Sequence, residues 1–122
     1  MPTSSSNVAL ADTNILIYSV QNNIDIVSEA KGNGFSLVTS SCVMEELKKL
    51  SFKNIHARIS LNVFSSLETV EGSGTGDDCI LNLCRDKGFA LISNDRVLSR
   101  RAMELGIKVM NIEDGRKITW RR

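Results

Sequence analysis

The chain has 122 residues, enough for one domain with a single core and too short for two, so one domain over 1–122 is expected. Its 42% hydrophobic and 24% charged content excludes a disordered tail, and apolar runs no longer than about Ile15–Tyr18 exclude a membrane span. The formal charge of +1 divides unevenly, with −4 over residues 1–84 and +5 over residues 85–122, an acidic part beside a basic one.

Residues 1–6, MPTSSS, read as a flexible lead-in without the basic start and apolar stretch of a secretory signal, so a cytoplasmic protein is expected. Val8–Ala11 is a short buried strand ending in Asp12-Thr13-Asn14. Two short helices follow, from Asn14 to about Asn22 and from Ile24 to Lys31, closed by Gly32 and Gly34. Phe35–Thr39 is a second strand, after which Ser40 or Ser41 caps a helix running to about Phe52. Ile55, Ile59, Val63 and Leu67 recur every four residues and predict a helix with that face buried. Thr69–Val70 can add a brief strand before the glycine-rich loop at 71–76, and Asp77 opens a helix to about Lys87. Phe89–Ser93 is a strand, Asp95–Leu105 a helix and Lys108–Ile112 a strand, with Ile118–Trp120 available as an edge strand. Strands alternating with helices predict an α/β fold with a mainly parallel sheet covered on both faces.

In such a sheet the carboxyl ends of the strands share one edge, where sites are built. Asp12 and Asp95 fall at strand ends, Glu46 one turn into the helix after the second strand, and Asp77 and Asp78 at a helix start. Each alone is equally an N-cap, a turn residue or a solvated acid. Helical phase separates neighbours: Val43, Leu47 and Leu50 form an apolar stripe, with Glu46 about 40° from its edge and Glu45 on the far side. Asp77 shares the face of Ile80, Leu81 and Cys84, whereas Asp78 lies about 100° round towards the rim. Carboxylates crowded at one mouth repel, and hard oxygen ligands of this kind suit Mg²⁺ or Mn²⁺. An ion so held assists phosphodiester hydrolysis.

The segments ALADTNILIY at 9–18, CVMEELKKL at 42–50, GTGDDCILNLC at 74–84 and LISNDRVLSRR at 91–101 resemble, in order and spacing, the motifs of PIN-domain nucleases. The likeness is greatest to a short archaeal branch, similar to small-subunit ribosomal RNA processing nucleases and to VapC-type toxins. It implies a three-layer α/β/α fold around a central, mainly parallel five-stranded sheet. It also implies metal-dependent cleavage of single-stranded RNA, with Mg²⁺ or Mn²⁺ as cofactor. Carried over, Asp12, Glu46, Asp77 and Asp95 are the catalytic and metal-binding acids, and Asp78 is a further possible ligand. Asn14 and Ser93 match polar positions flanking the site, with Asn94 beside them. A homodimer, an antitoxin or a ribosome-assembly partner is implied by the same likeness. The rival is a non-cleaving PIN-like scaffold that binds RNA or protein.

Other readings fall away. The glycines at 72, 74 and 76 lack a GK[ST] and precede two aspartates that would repel phosphate. His56, the single histidine, falls within the Ile55/Ile59/Val63/Leu67 face as a core or core-edge residue, and no nucleophile elbow supports Ser-His-Asp hydrolysis. Asn14 stands where a haloacid-dehalogenase phosphatase needs its second acid, and the paired acids of a phosphorelay receiver are absent. Cys42, Cys79 and Cys84, odd in number and without CxxC or zinc spacing, read as packing thiols, so neither a disulfide nor a structural zinc is expected. Arg96, Arg100 and Arg101, with Arg116, Lys117, Arg121 and Arg122, could contact RNA phosphates, and Trp120 is the candidate stacking residue.

Overall fold

The computed structural model describes residues 7–113 and 117–120. The lead-in at 1–6 and the basic residues Arg116, Arg121 and Arg122 lie outside the described residues. The elements in chain order are β1 (Val8–Ala11), α1 (Thr13–Gln21), α2 (Ile26–Gly32), β2 (Ser36–Ser40), α3 (Ser41–Leu50) and α4 (Ile55–Phe64). They continue with β3 (Thr69–Val70), α5 (Gly76–Lys87), β4 (Ala90–Ile92), α6 (Arg96–Glu104), β5 (Val109–Glu113) and β6 (Lys117–Trp120).

The strands form one sheet in the order β3-β2-β1-β4-β5-β6. The sheet has six strands rather than the five that the family likeness implies, because Lys117–Trp120 folds back on β5 as an antiparallel edge. All other pairings are parallel. From β1 the chain moves outward to β2 and β3, then returns past β1 to build β4 and β5 on the other side. This reversal makes the carboxyl ends of β1 and β4 a topological switch point, where an open sheet leaves a crevice. The central strands are apolar throughout: Ala9, Leu10 and Ala11 of β1, and Leu91 and Ile92 of β4, are fully enclosed. Burial on both faces explains their unbroken apolar runs.

Polar side chains start the helices. Asp12 accepts the Ile15 N–H at the head of α1, Ser40 accepts the Val43 N–H at α3, and Asp95 accepts the Leu98 N–H at α6. Against sequence expectation, α4 turns its other side inward. Ala57, Ser60 and Phe64 are buried, whereas Ile55, Ile59 and Val63 are exposed. The small residues let α4 approach α1 closely, and the Ser60 hydroxyl bonds the His56 carbonyl at 2.7 Å. His56 is half-buried at the edge of that contact. Leu50, expected in the α3 stripe, is likewise at the surface, because α3 ends there and its buried face is Val43 and Leu47.

The expectation of three free thiols is also corrected. Cys42 of α3 and Cys79 of α5 form a disulfide, with Cα atoms 6.5 Å apart, and only Cys84 is a free, buried thiol. The sequence separation of 37 hid the pairing, which depends on α3 and α5 lying side by side. Gly72 lies against this bridge: a Cβ there would come within 2.5 Å of Cys79 Sγ and 2.9 Å of Leu83 Cδ1.

Candidate active site

Asp12 follows directly on β1, where its backbone N–H extends the ladder to the Ile92 carbonyl at 3.1 Å. That bond places Asp12 beside Ser93, the residue following β4. The Ser93 hydroxyl donates to Asp12 Oδ2 while accepting the Asp95 backbone N–H at 3.0 Å. One buried serine thus ties the first acid to the loop carrying the last. Asp12 divides its own oxygens, Oδ1 capping α1 at 2.8 Å from the Ile15 nitrogen and Oδ2 facing Ser93. It is only 5% exposed. Burial pushes its carboxyl up to about 6, against the lowering effect of the bonds from Ser93 and Ile15, and the charges of Asp95 and Asp77 push the same way.

Glu46 arrives from the second turn of α3. Its Oε1 accepts a 2.6 Å hydrogen bond from the hydroxyl of Thr13, the residue after Asp12. Thr13 is buried, so a fixed donor holds one oxygen of a long side chain and leaves the other free. Sequence reasoning missed Thr13, whose role depends on a partner 33 residues away. The nearest signal was its place directly after the first acid.

Asp77, in the first turn of α5, reaches the same region from the surface. Partial desolvation raises its pKa first, then the charge of Asp95; Arg101 counters, and Glu46 and Asp78 add to the rise. Asp12 thus feels the charges of Asp95 and Asp77, and Asp77 those of Asp95 and Glu46. Asp77, expected on the buried face of α5, is exposed like Asp78, and Asp78 accepts a 2.8 Å bond from Arg101 of α6. That bond raises the Arg101 pKa and commits both groups to each other.

The remaining expectations divide. Asn14 is exposed at the site's edge. Asn94, expected as a supporting polar residue, is instead bound to the backbone of Ile112, accepting its N–H at 2.9 Å, so it pins the turn to β5. Glu45 is exposed but lines the same cleft as Glu46, so phase alone exaggerates their separation. Arg96 and Arg100 are exposed on α6. Trp120 is not at the site. Its ring meets Phe35 at 5.5 Å and the Lys108 ammonium at 6.0 Å, and these two residues precede β2 and β5, at the amino ends of the parallel strands and away from the site.

These acids offer only oxygen, the donor type a hard divalent cation prefers. Among the described residues no three acids, histidines or cysteines close into a metal cage. Mg²⁺ needs no cage, because it retains several waters and takes one or two carboxylates directly. The raised carboxyls of Asp12 and Asp77 owe most to desolvation, and the neighbouring carboxylate charges add to it. Among the described residues no helix is long and apolar enough to cross a membrane.

Comparison with known proteins agrees with this architecture. The chain is 33% identical over 117 residues to Ribonuclease VapC9 of Archaeoglobus fulgidus, covering 90% of this chain and 86% of that protein. It superposes on the structure of the PIN domain endonuclease Utp24 with a TM-score of 0.82 and 26% identity, over 98% of this chain and 96% of the other. The model of the PIN like domain family matches residues 9–115. From β1 to the end of β5, then, this chain belongs to the PIN-like domain family of nuclease-related proteins.

Proposed function

We propose that the protein is a metal-dependent endoribonuclease that hydrolyses single-stranded RNA at the four carboxylates Asp12, Glu46, Asp77 and Asp95. The observation that supports the reading is the buried Asp12, which Ser93 links to the Asp95 loop while the next residue, Thr13, holds Glu46, with Asp77 near enough to feel Asp95 and Glu46. A lone structural carboxylate would not be kept buried at this disadvantage without a return. The similarity to a ribonuclease and an endonuclease supports the same chemistry.

Each residue has a part. Asp12 and Glu46 present fixed oxygens, set by Ser93 and Thr13 respectively. Asp77 and Asp95 complete the acidic face, and either can accept the proton of an attacking water. When bound, Mg²⁺ or Mn²⁺ would polarise the phosphate and offset the carboxylate charge. Arg96 and Arg100 are free to meet flanking phosphates, a contact that confers affinity and salt dependence but not sequence choice. Asp78 and Arg101 hold α5 to α6 at the rim. Neither a toxin's role nor one in ribosomal RNA processing follows from this chemistry, since both would use the same acids.

The test is cleavage of labelled single-stranded RNA with Mn²⁺ and with EDTA, run beside Asp12→Asn. Metal-dependent cutting that the variant lacks supports the reading. Equal inactivity of both proteins over varied RNAs, with no Mn²⁺ binding by titration calorimetry, leaves a binding scaffold as the function.

A further inference from the structure

We propose that the cleft between α1 and the turn leading into α6 is a nucleobase subsite, in which Tyr18 stacks on one unpaired base next to the scissile phosphate. The proposal rests on the ribonuclease reading and adds to it the feature of RNA recognised beside the acids.

Two clefts flank the acidic face, and they differ in chemistry. On the Glu46 side a cleft of about 280 Å³ is bordered by Thr13, Val43, Glu45, Glu46, Lys49 and Thr75, with no aromatic side chain. On the Asp12 side a cleft of about 310 Å³ is lined by Asp12, Asn14, Ile15, Tyr18, Asn94 and Asp95. Tyr18 is the single tyrosine of the chain. It is half-buried, packed on the core while also lining the cleft. Asn14, four residues earlier on the same face of α1, is exposed and makes no side-chain hydrogen bond among the described residues. Asn94 is committed to Ile112, so Asn14 supplies the free amide of the cleft.

An aromatic ring, a free amide with both donor and acceptor, and two carboxylates at one end suit a base better than a phosphate. A base offers a flat face to the ring and an edge to the amide, whereas a phosphate in this cleft would meet Asp12 and Asp95. Only an unpaired base exposes that face, so the cleft would select single strands. The other cleft sets the Lys49 ammonium beside the carboxylates of Glu45 and Glu46 and has no ring, so it offers a base nothing to stack on. A strand lying across the acids is therefore read by stacking on one side of the cut only.

The experiment moves a single abasic nucleotide through a labelled RNA that the wild type cuts, on both sides of the cleavage position. It measures kcat/KM for wild type, Tyr18→Phe, Tyr18→Leu and Tyr18→Ala. Wild type and Tyr18→Phe should lose about tenfold or more when the abasic nucleotide sits at one flanking position, and much less at its mirror. Tyr18→Leu, which keeps apolar packing, and Tyr18→Ala should lose a similar factor on intact RNA and become indifferent to the abasic site. Thermal melts of each variant separate lost stacking from lost folding. An unchanged abasic profile in Tyr18→Leu, or Tyr18→Phe behaving like Tyr18→Ala, overturns the stacking role. A wild type that cuts RNA with a flat abasic profile overturns the subsite alone, whereas a wild type that cuts no RNA overturns the ribonuclease reading beneath it.

Discussion

Replacing Asp12 with Asn should destroy activity and, without metal, make the fold more stable. The Asp12 carboxyl is raised from 3.8 to about 6, chiefly by burial. A group whose folded pKa lies above its unfolded one penalises the native state when ionised. The penalty is absent below about pH 4, grows between there and about pH 6, and is fully present above. Two pKa units correspond to about 3 kcal/mol, from which the lost Ser93 hydrogen bond removes about 1 kcal/mol. The side-chain oxygen of Asn still accepts the Ile15 N–H, so the α1 cap survives. The expected net gain is about 2 kcal/mol at pH 8, or about 8 °C in Tm for a domain of this size. Differential scanning calorimetry from pH 4 to pH 8 in EDTA measures it. The variant's advantage should shrink towards pH 4, and millimolar Mn²⁺ should stabilise the wild type and not the variant. If Asn destabilises the protein equally across that range, Asp12 is a structural cap and its burial has no bearing on a metal.

Other expectations follow from single contacts. Thr13→Val removes the donor to Glu46 at nearly constant shape and should weaken Mn²⁺ binding about tenfold in calorimetry, while Thr13→Ser retains most of it. Cys42→Ser opens the bridge to Cys79 and should reduce stability by about 3 kcal/mol in urea titrations, with the same loss on reducing the wild type. Gly72→Ala forces a methyl group against Cys79 Sγ and should cost about 1–3 kcal/mol by the same titration. Glu46→Gln should reduce RNA cleavage at least about tenfold, whereas Glu45→Gln, an exposed acid that Thr13 does not hold, should change it by less than about threefold.

The parts of this fold visible in the sequence are those set by local pattern. Short unbroken apolar runs marked β1 and β4, and their last residues located Asp12 and Asp95 at the switch point. Phase on α5 put Asp77 on the buried face, but the first turn of α5 stands clear of the core, so Asp77 and Asp78 are both exposed and only the Arg101 bond tells them apart. Reading α4 failed because two stripes compete on it. The branched Ile55, Ile59 and Val63 outweigh Ala57 and Ser60 on any hydrophobicity scale, but the close approach to α1 selects the small side chains. Thr13, the disulfide and the commitment of Asn94 to Ile112 are long-range pairings, invisible until the sheet brings distant segments together.

The division of labour within each carboxylate determines how long its side chain must be. Asp12 and Asp95 each lend one oxygen to the head of the helix that follows, and a chain with one methylene more would overshoot that N–H. Glu46 caps nothing and begins in the second turn of α3, so it needs the additional length to reach Thr13. Side-chain length here is a ruler matched to backbone position. Exchanging Asp for Glu, or the reverse, would preserve every charge at the site and still move the oxygens from where they are held.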